Sequence, residues 1–205
     1  MNHQIMIRFF QNHYGRRLRK ALRSRAYPAA DRMREEYVRR FQHYMETADF
    51  GENDEKFSSF LNIYSGLAAY ELLRESGFSE SESIAVYDEM CSLLRKAAAL
   101  SYGIADLLPS GFQITADSLK RDLLGEKAAC WSTEVLEDSS QCFAYRISKC
   151  LYYDTCKAHG CPEFTKVFCY HDRAAYGVLH RHVIFLRYEA IGEGGTCCHD
   201  AFIRP

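Results

Sequence analysis

The sequence predicts an α+β fold, in which N-terminal helices precede a β-β-α-α-β-β antiparallel sheet covered by helices. Two observations carry this. Apolar residues recur at helical spacing through the first half, and from residue 131 the period shortens to strand alternation, broken by two further helical stretches. The expected division is a helical region over residues 1–113 and an α+β region over 114–205 that carries the chemistry, together in one compact domain. A chain of 205 residues can bury a core of that size.

In the first half, Phe57, Phe60, Leu61, Tyr64, Leu67, Ala68 and Leu72 mark one helical face, and Gly77 follows as a C-terminal stop. The next helix is placed after Ser81 or Ser83 and runs through "IAVYDEMCSLLRKAAAL". Residues 103–113 read as a loop or short turns, and 114–127 as a short helix with Thr115 or Asp117 as N-cap. "WSTEVLE" (131–137) and "QCFAYRI" (141–147) alternate as strands across Asp138, Ser139 and Ser140, which makes a hairpin. "KCLYYDTCKAHG" reads as a short helix closed by Gly160, and "PEFTKVFCYHDRAAYGVLH" as a longer one with Pro162 at its first position. "HVIFLRYEAI" (182–191) is a strand again, and the segment around "CCHDAFI" pairs with it across the Gly192–Gly195 turn.

Composition fits a folded protein, with 47% hydrophobic and 26% charged residues, so disorder is excluded. No stretch approaches the roughly 18 apolar residues of a membrane span. The start "MNHQIMIRFF" has too few apolar residues for a signal peptide, which makes the cytoplasm the expected location and a membrane an unexpected partner. Charge is polarised. Residues 1–40 hold eleven Lys and Arg against three acids, whereas residues 46–92 hold eleven acids against two basic residues. The basic run lacks the aromatic interleaving of a single-strand binder and any zinc-finger or helix-turn-helix spacing, so nucleic acid is not expected as a partner. It reads instead as a solvated helix face pairing with the acidic segment, or as a homo-oligomer contact.

Eight of the nine cysteines lie between Cys130 and Cys198. Their odd number, without an export signal, argues against a disulfide framework. Each could be a small buried hydrophobe, but three have contexts that suit chemistry. Cys150 follows Ser148, a good N-cap, which places it in a first helical turn where free N–H groups and the dipole lower a thiol pKa. Asp154 shares its face. Cys169 and Asp172 lie three apart on one helix face, while His171 sits in an apolar stripe with Phe164, Phe168, Ala175 and Val178, as a core histidine does. Arg187 shares a strand face with Val183, Phe185 and Glu189, placed either to hold a carboxylate in its planar fork or to be solvated. Near the C-terminus, "EGGTCCHDAF" sets Cys197, Cys198, His199 and Asp200 behind two glycines. No CxxC, HExxH, GxSxG, P-loop or GxGxxG pattern occurs.

The stretches "YRISKCLYY", "PEFTKVFCYHDRAAYG" and "IFLRYEAIGEGGTCCHDAF", between Tyr145 and Phe202, resemble the L-2-amino-thiazoline-4-carboxylic acid hydrolase family. The family's pattern has a Cys after a strand, a second Cys with an Asp three residues on in a helix, a strand Arg, and a Gly-rich turn before a Cys-Asp-aromatic ending. These features fall on Cys150, Cys169 with Asp172, Arg187, Gly194 with Gly195, and Cys198. At the ending, His199 stands where the pattern has the acid, and Asp200 comes one place later. The resemblance implies a thiol-dependent hydrolase that opens 2-amino-thiazoline-4-carboxylate, or a related cyclic isothiourea or amidine carboxylate, to N-carbamoyl-L-cysteine or its counterpart. It implies Cys150, Cys169, Asp172, Cys198 and His199 as catalytic, with Cys150 the nucleophile and Asp172 orienting a proton-transfer group. Arg187, Gly194 and Gly195 would bind the small-molecule substrate. No cofactor is expected; in the non-covalent version the thiols hold a divalent metal that activates water. The competing classes are a cysteine-lined small-molecule-binding or redox-sensing module without turnover and a helical scaffold that binds partners through its charged half.

Overall fold

The computed structural model describes residues 2–51, 53–125 and 129–205. They form seven α-helices and one four-stranded antiparallel sheet, an α+β fold, in two compact units, Met1–Ser92 and Leu93–Pro205. Among the described residues no helix is long and apolar enough to cross a membrane.

The first unit is helical because its apolar residues fall three and four apart. Helix α1 (His3–Ser24) is capped by the Asn2 side chain, which accepts from the N–H groups of Gln4 and Ile5, and buries Ile7, Tyr14, Leu18 and Leu22. Helix α2 (Ala30–Thr47) buries Met33, Tyr37, Phe41 and Met45, every fourth residue. Helix α3 (Asp54–Glu75) starts at the Asn53 cap and stops before Gly77, whose φ of 89° only glycine adopts freely. Part of the basic run pairs with the acidic segment. Arg40 holds Glu75 through both guanidinium nitrogens at 2.8 and 2.7 Å, and Arg25 reaches Glu89 at 2.7 Å.

Helix α4 (Glu80–Asp106) begins earlier than its serines suggested. Ser79 and Glu82 form a capping box, the Ser79 N–H donating to Glu82 at 2.8 Å and the Glu82 N–H to Ser79 Oγ at 3.2 Å. It also runs on through Gly103, so the predicted loop over 103–113 shrinks to a turn at 107–110. Helix α5 (Gly111–Leu124) then starts behind Ser110, with Thr115 and Asp117 inside it rather than capping it. Gly111 permits this. A Cβ there would sit 2.6 Å from the Ala105 carbonyl, too close for any other residue in so tight a turn. Residues 126 and 127, the end of the predicted helix, lie outside the described residues.

Strands β1 (Trp131–Asp138) and β2 (Cys142–Cys150) form the expected hairpin, and β3 (Ile184–Glu189) pairs with β4 (Cys198–Ile203) across the glycine turn. Strand order is β1-β2-β4-β3, so the C-terminal strand fills the centre. Helix α6 (Leu151–Ala158) ends at Gly160. Pro162–Thr165 form a 3₁₀ turn that leads into α7 (Lys166–Tyr176). On the sheet's inner face Phe143, Phe202 and Phe185 are in register across three strands, and Phe112, Leu119 and Leu123 of α5 join the same core.

One buried carboxylate ties the entry of β3 to the end of α4. Asp106, 2% exposed, accepts from the backbone N–H groups of His180, Arg181, His182 and Val183 at 2.9, 2.8, 2.8 and 2.9 Å. Burial works to raise its pKa, but the four donors outweigh that and hold the carboxyl below its ordinary range. Asp106→Ala leaves four loop donors without their acceptor and is expected to cost about 3 kcal/mol, read from the urea midpoint. Because the folded pKa lies below the unfolded value, the stabilisation is complete above the unfolded pKa of about 3.9 and is lost as pH falls through the folded pKa. The gap between wild type and variant should therefore close on acidification.

Candidate active site

The site is built on one row of the sheet. Asp200 on β4 lies directly opposite Tyr145 on β2 and Arg187 on β3, and side chains in register on one face touch. Arg187 Nε and Nη2 donate to the two Asp200 carboxylate oxygens at 2.7 and 2.8 Å, and the Tyr145 hydroxyl donates to Asp200 at 3.1 Å. Asp200 is 1% exposed and the Arg187 side chain 6%. Such a pair is held by its geometry, and removing one partner from a buried pair costs roughly 3–5 kcal/mol. The planar fork thus does bind a carboxylate, that of the protein itself.

Arg187 carries the row onward to α7. Its Nη1 donates to the Cys169 carbonyl at 3.0 Å and its Nη2 lies 3.5 Å from the Asp172 carboxylate. The register shift between Arg187 and Glu189 turns the strand there, so Arg187 stays on the inner face while Glu189 serves the glycine turn. Glu189 accepts from the Thr196 N–H and Oγ and from the Cys197 thiol.

Asp172, which Arg187 reaches, has an altered acidity of its own. Desolvation pushes its pKa up to about 6, with the Asp200 charge adding and the Arg187 charge opposing. Its side chain nevertheless keeps 53% of its surface open. Tyr176, one turn further on α7, and Tyr102 of α4 share a hydrogen bond beside it.

Three thiols lie in the same neighbourhood. Cys169, pushed up to about 12 by burial and then by the Asp172 charge, and Cys198, pushed up to about 11 by burial, feel each other and Cys150. The Ile191 N–H donates to Cys198 Sγ at 3.4 Å. Gly192 lies against Cys169, where a Cβ would meet the sulfur at 2.7 Å. Cys150 corrects its sequence reading in two ways. Strand β2 extends to Cys150, with Ser148 Oγ donating to the Ser132 carbonyl, so Cys150 is itself the N-cap of α6 and not a first-turn residue. Its thiol pKa is raised rather than lowered: burial dominates, and the backbone N–H groups of Tyr153 and Tyr152 only offset it.

His199 is not brought to this cluster. Strand alternation turns it to the outer face, 4.6 Å from the exposed Tyr188 ring. His171, lowered to about 4 by burial and then by the Arg95 charge, is neutral as its apolar stripe implied. Gly194 adopts φ 95°, and at Gly195 a Cβ would lie 2.9 Å from the Ala190 carbonyl, so both shape the turn that delivers Cys198. Among the described residues, no three His, Cys, Asp or Glu side chains are placed to share a metal ion. Asp200, Tyr145 and Tyr176 were missed as a group. The two-residue period of β4 already sets Cys198 and Asp200 on one face and His199 on the other, and that signal was in the sequence.

The family model described as L-2-amino-thiazoline-4-carboxylic acid hydrolase matches residues 67–202. The match begins within α3, well before the motifs between Tyr145 and Phe202. No curated protein and no solved structure matches the chain.

The raised pKa of Asp172 bears on stability. A carboxyl whose folded pKa of about 6 exceeds its unfolded value of 3.8 holds extra protons in the folded state between those values, so its contribution turns unfavourable as pH rises through that window. Asp172→Asn should therefore be more stable than wild type at pH 7, by about 1 kcal/mol once the open half of the side chain is allowed for. The advantage should vanish at pH 3.5 in the same urea titration.

Proposed function

Because the chain belongs to the L-2-amino-thiazoline-4-carboxylic acid hydrolase family, we propose that it is a hydrolase opening a five-membered cyclic isothiourea that bears a carboxylate, with Asp172 as the proton-transfer group and Cys150 as the nucleophile. The observation that carries this reading is a carboxyl, Asp172, that is open to water, contacted by Arg187 and within electrostatic reach of the Cys150 and Cys169 thiols, its pKa pushed up to about 6 by desolvation. A group with that pKa is a carboxylate at neutral pH and can still return a proton.

The raised thiol pKa matters for mechanism. Cys150 is protonated at rest, so attack on the ring carbon between sulfur and nitrogen requires its proton to pass to Asp172 as the carbon–sulfur bond forms. Collapse of the tetrahedral carbon breaks the ring carbon–sulfur bond, and the departing ring sulfur takes the proton back from Asp172. Water then attacks the same carbon and gives one proton to Asp172; the bond from that carbon to the Cys150 sulfur breaks, Asp172 returns the proton to the sulfur, and the second water proton passes to nitrogen as the carbonyl forms, which leaves the carbamoyl group on the amino acid. Cys169 and Cys198 stay as thiols. Arg187 is assigned the positioning of Asp172 and the Cys169 carbonyl instead of the substrate carboxylate, because Asp200 already occupies its fork.

The test is incubation with 2-amino-thiazoline-4-carboxylate, following free thiol and carbamoyl product by mass spectrometry. Turnover should rise with pH through an apparent pKa of about 6, fall roughly 10²–10⁴-fold in Asp172→Asn, and disappear in Cys150→Ser. Normal turnover in Cys150→Ser would sink the covalent step. Reversible thiol oxidation with no product from this or other cyclic amidines would move the protein to the sensing class.

A further inference from the structure

Beyond the hydrolytic site, the first unit carries a groove of about 580 Å³ lined by Arg16, Arg19, Lys20, Arg23 and Ser24 of α1. The four cations are neighbours of one another at i,i+3 and i,i+4 spacing: 16 with 19, 16 with 20, 19 with 23, and 20 with 23. Like charges at these spacings destabilise a helix. The protein offsets them with one carboxylate, Asp31 at the start of α2, which lies 3.4 Å from Arg19 Nη1 and 2.8 Å from Arg23 Nη2. Arg16 and Lys20 have no ion-pair partner among the described residues. Elsewhere on the basic run, Arg40 and Arg25 do find acids.

We propose that this groove binds a small soluble polyphosphate or phosphate ester carrying at least two neighbouring phosphate groups. The volume is that of a small-molecule site. Guanidinium groups bind phosphate oxygens in pairs, and Asp31 already extends Arg19 and Arg23 along one side of the groove. Arg16 and Lys20 supply the remaining donors, while the Ser24 hydroxyl donates to the Ala21 carbonyl at 2.8 Å. No aromatic side chain lines the groove, so the bases of a nucleic acid would have nothing to stack on.

The experiment is calorimetric titration of the full chain with inorganic triphosphate at constant ionic strength, with sulfate as the competing anion. Saturable binding of one triphosphate per chain is expected, weakened at least tenfold in Arg16→Gln/Lys20→Gln and changed less than twofold in Arg8→Gln/Arg32→Gln, which removes equal charge outside the groove. Without ligand, Arg16→Gln/Lys20→Gln should keep its helical circular dichroism and melt at or above the wild-type temperature, since it loses repulsion. Absence of saturable binding, equal loss in both variants, or displacement by equimolar sulfate would overturn the proposal. Tighter binding to a single-stranded oligonucleotide or to anionic vesicles than to triphosphate, weakened alike in both variants, would overturn it too, in favour of a diffuse polyanion surface.

Discussion

The ion pair between Arg187 and Asp200 is the contact on which the arrangement of the second unit turns. It joins adjacent strands in register, with Tyr145 on the third strand closing the remaining side of the carboxylate. Two opposite charges taken out of water are tolerated only when geometry and hydrogen bonds satisfy both, and here they do. The guanidinium has donors to spare, and these reach across to α7. A helix that contributes Cys169, Asp172 and Tyr176 is thereby docked on the sheet by the same group that balances the buried acid. The aromatic row of Phe143, Phe202 and Phe185 lies one step along the strands and keeps water from that side.

Around that frame, electrostatics divide the labour between groups of similar chemistry. Asp200 is enclosed and paired, whereas Asp172, close by, is only partly compensated and lies open to water. Burial acts on the thiols in the same direction as on Asp172, keeping the proton bound. Burial disfavours every thiolate, and a helix start at Cys150 offers too few free N–H groups to reverse it. Nucleophilic use of such a thiol requires a base beside it, which is the part Asp172 is suited to play.

The first unit solves a different problem. Its core is made by helices with apolar residues at every third and fourth position, and its charge is distributed by need. Arg40 and Arg25 meet acids from the glutamate- and aspartate-rich segment, while the groove on α1 keeps its cations together.

By itself, the sequence determined the classes of the elements and their order. Periodicity is a local property, so the helices around Phe57 and Ile84, the hairpin at Ser139 and the strand pair across Gly192–Gly195 could be read from neighbours in the chain. It also singled out Cys150, Cys169, Asp172, Arg187 and Cys198, because unusual residue types recur there in a recognisable pattern. Element ends were less legible, since the α4–α5 turn depends on how closely Gly111 approaches the Ala105 carbonyl, and that approach is set by packing. The tertiary structure alone decided what each group experiences. That Asp106 is an anchor for residues 180–183, that Arg187 spends its fork on Asp200, and that the Cys150 thiol is harder and not easier to ionise all follow from partners far away in sequence. Burial and register bring those partners together, and neither is a property of any short stretch of chain.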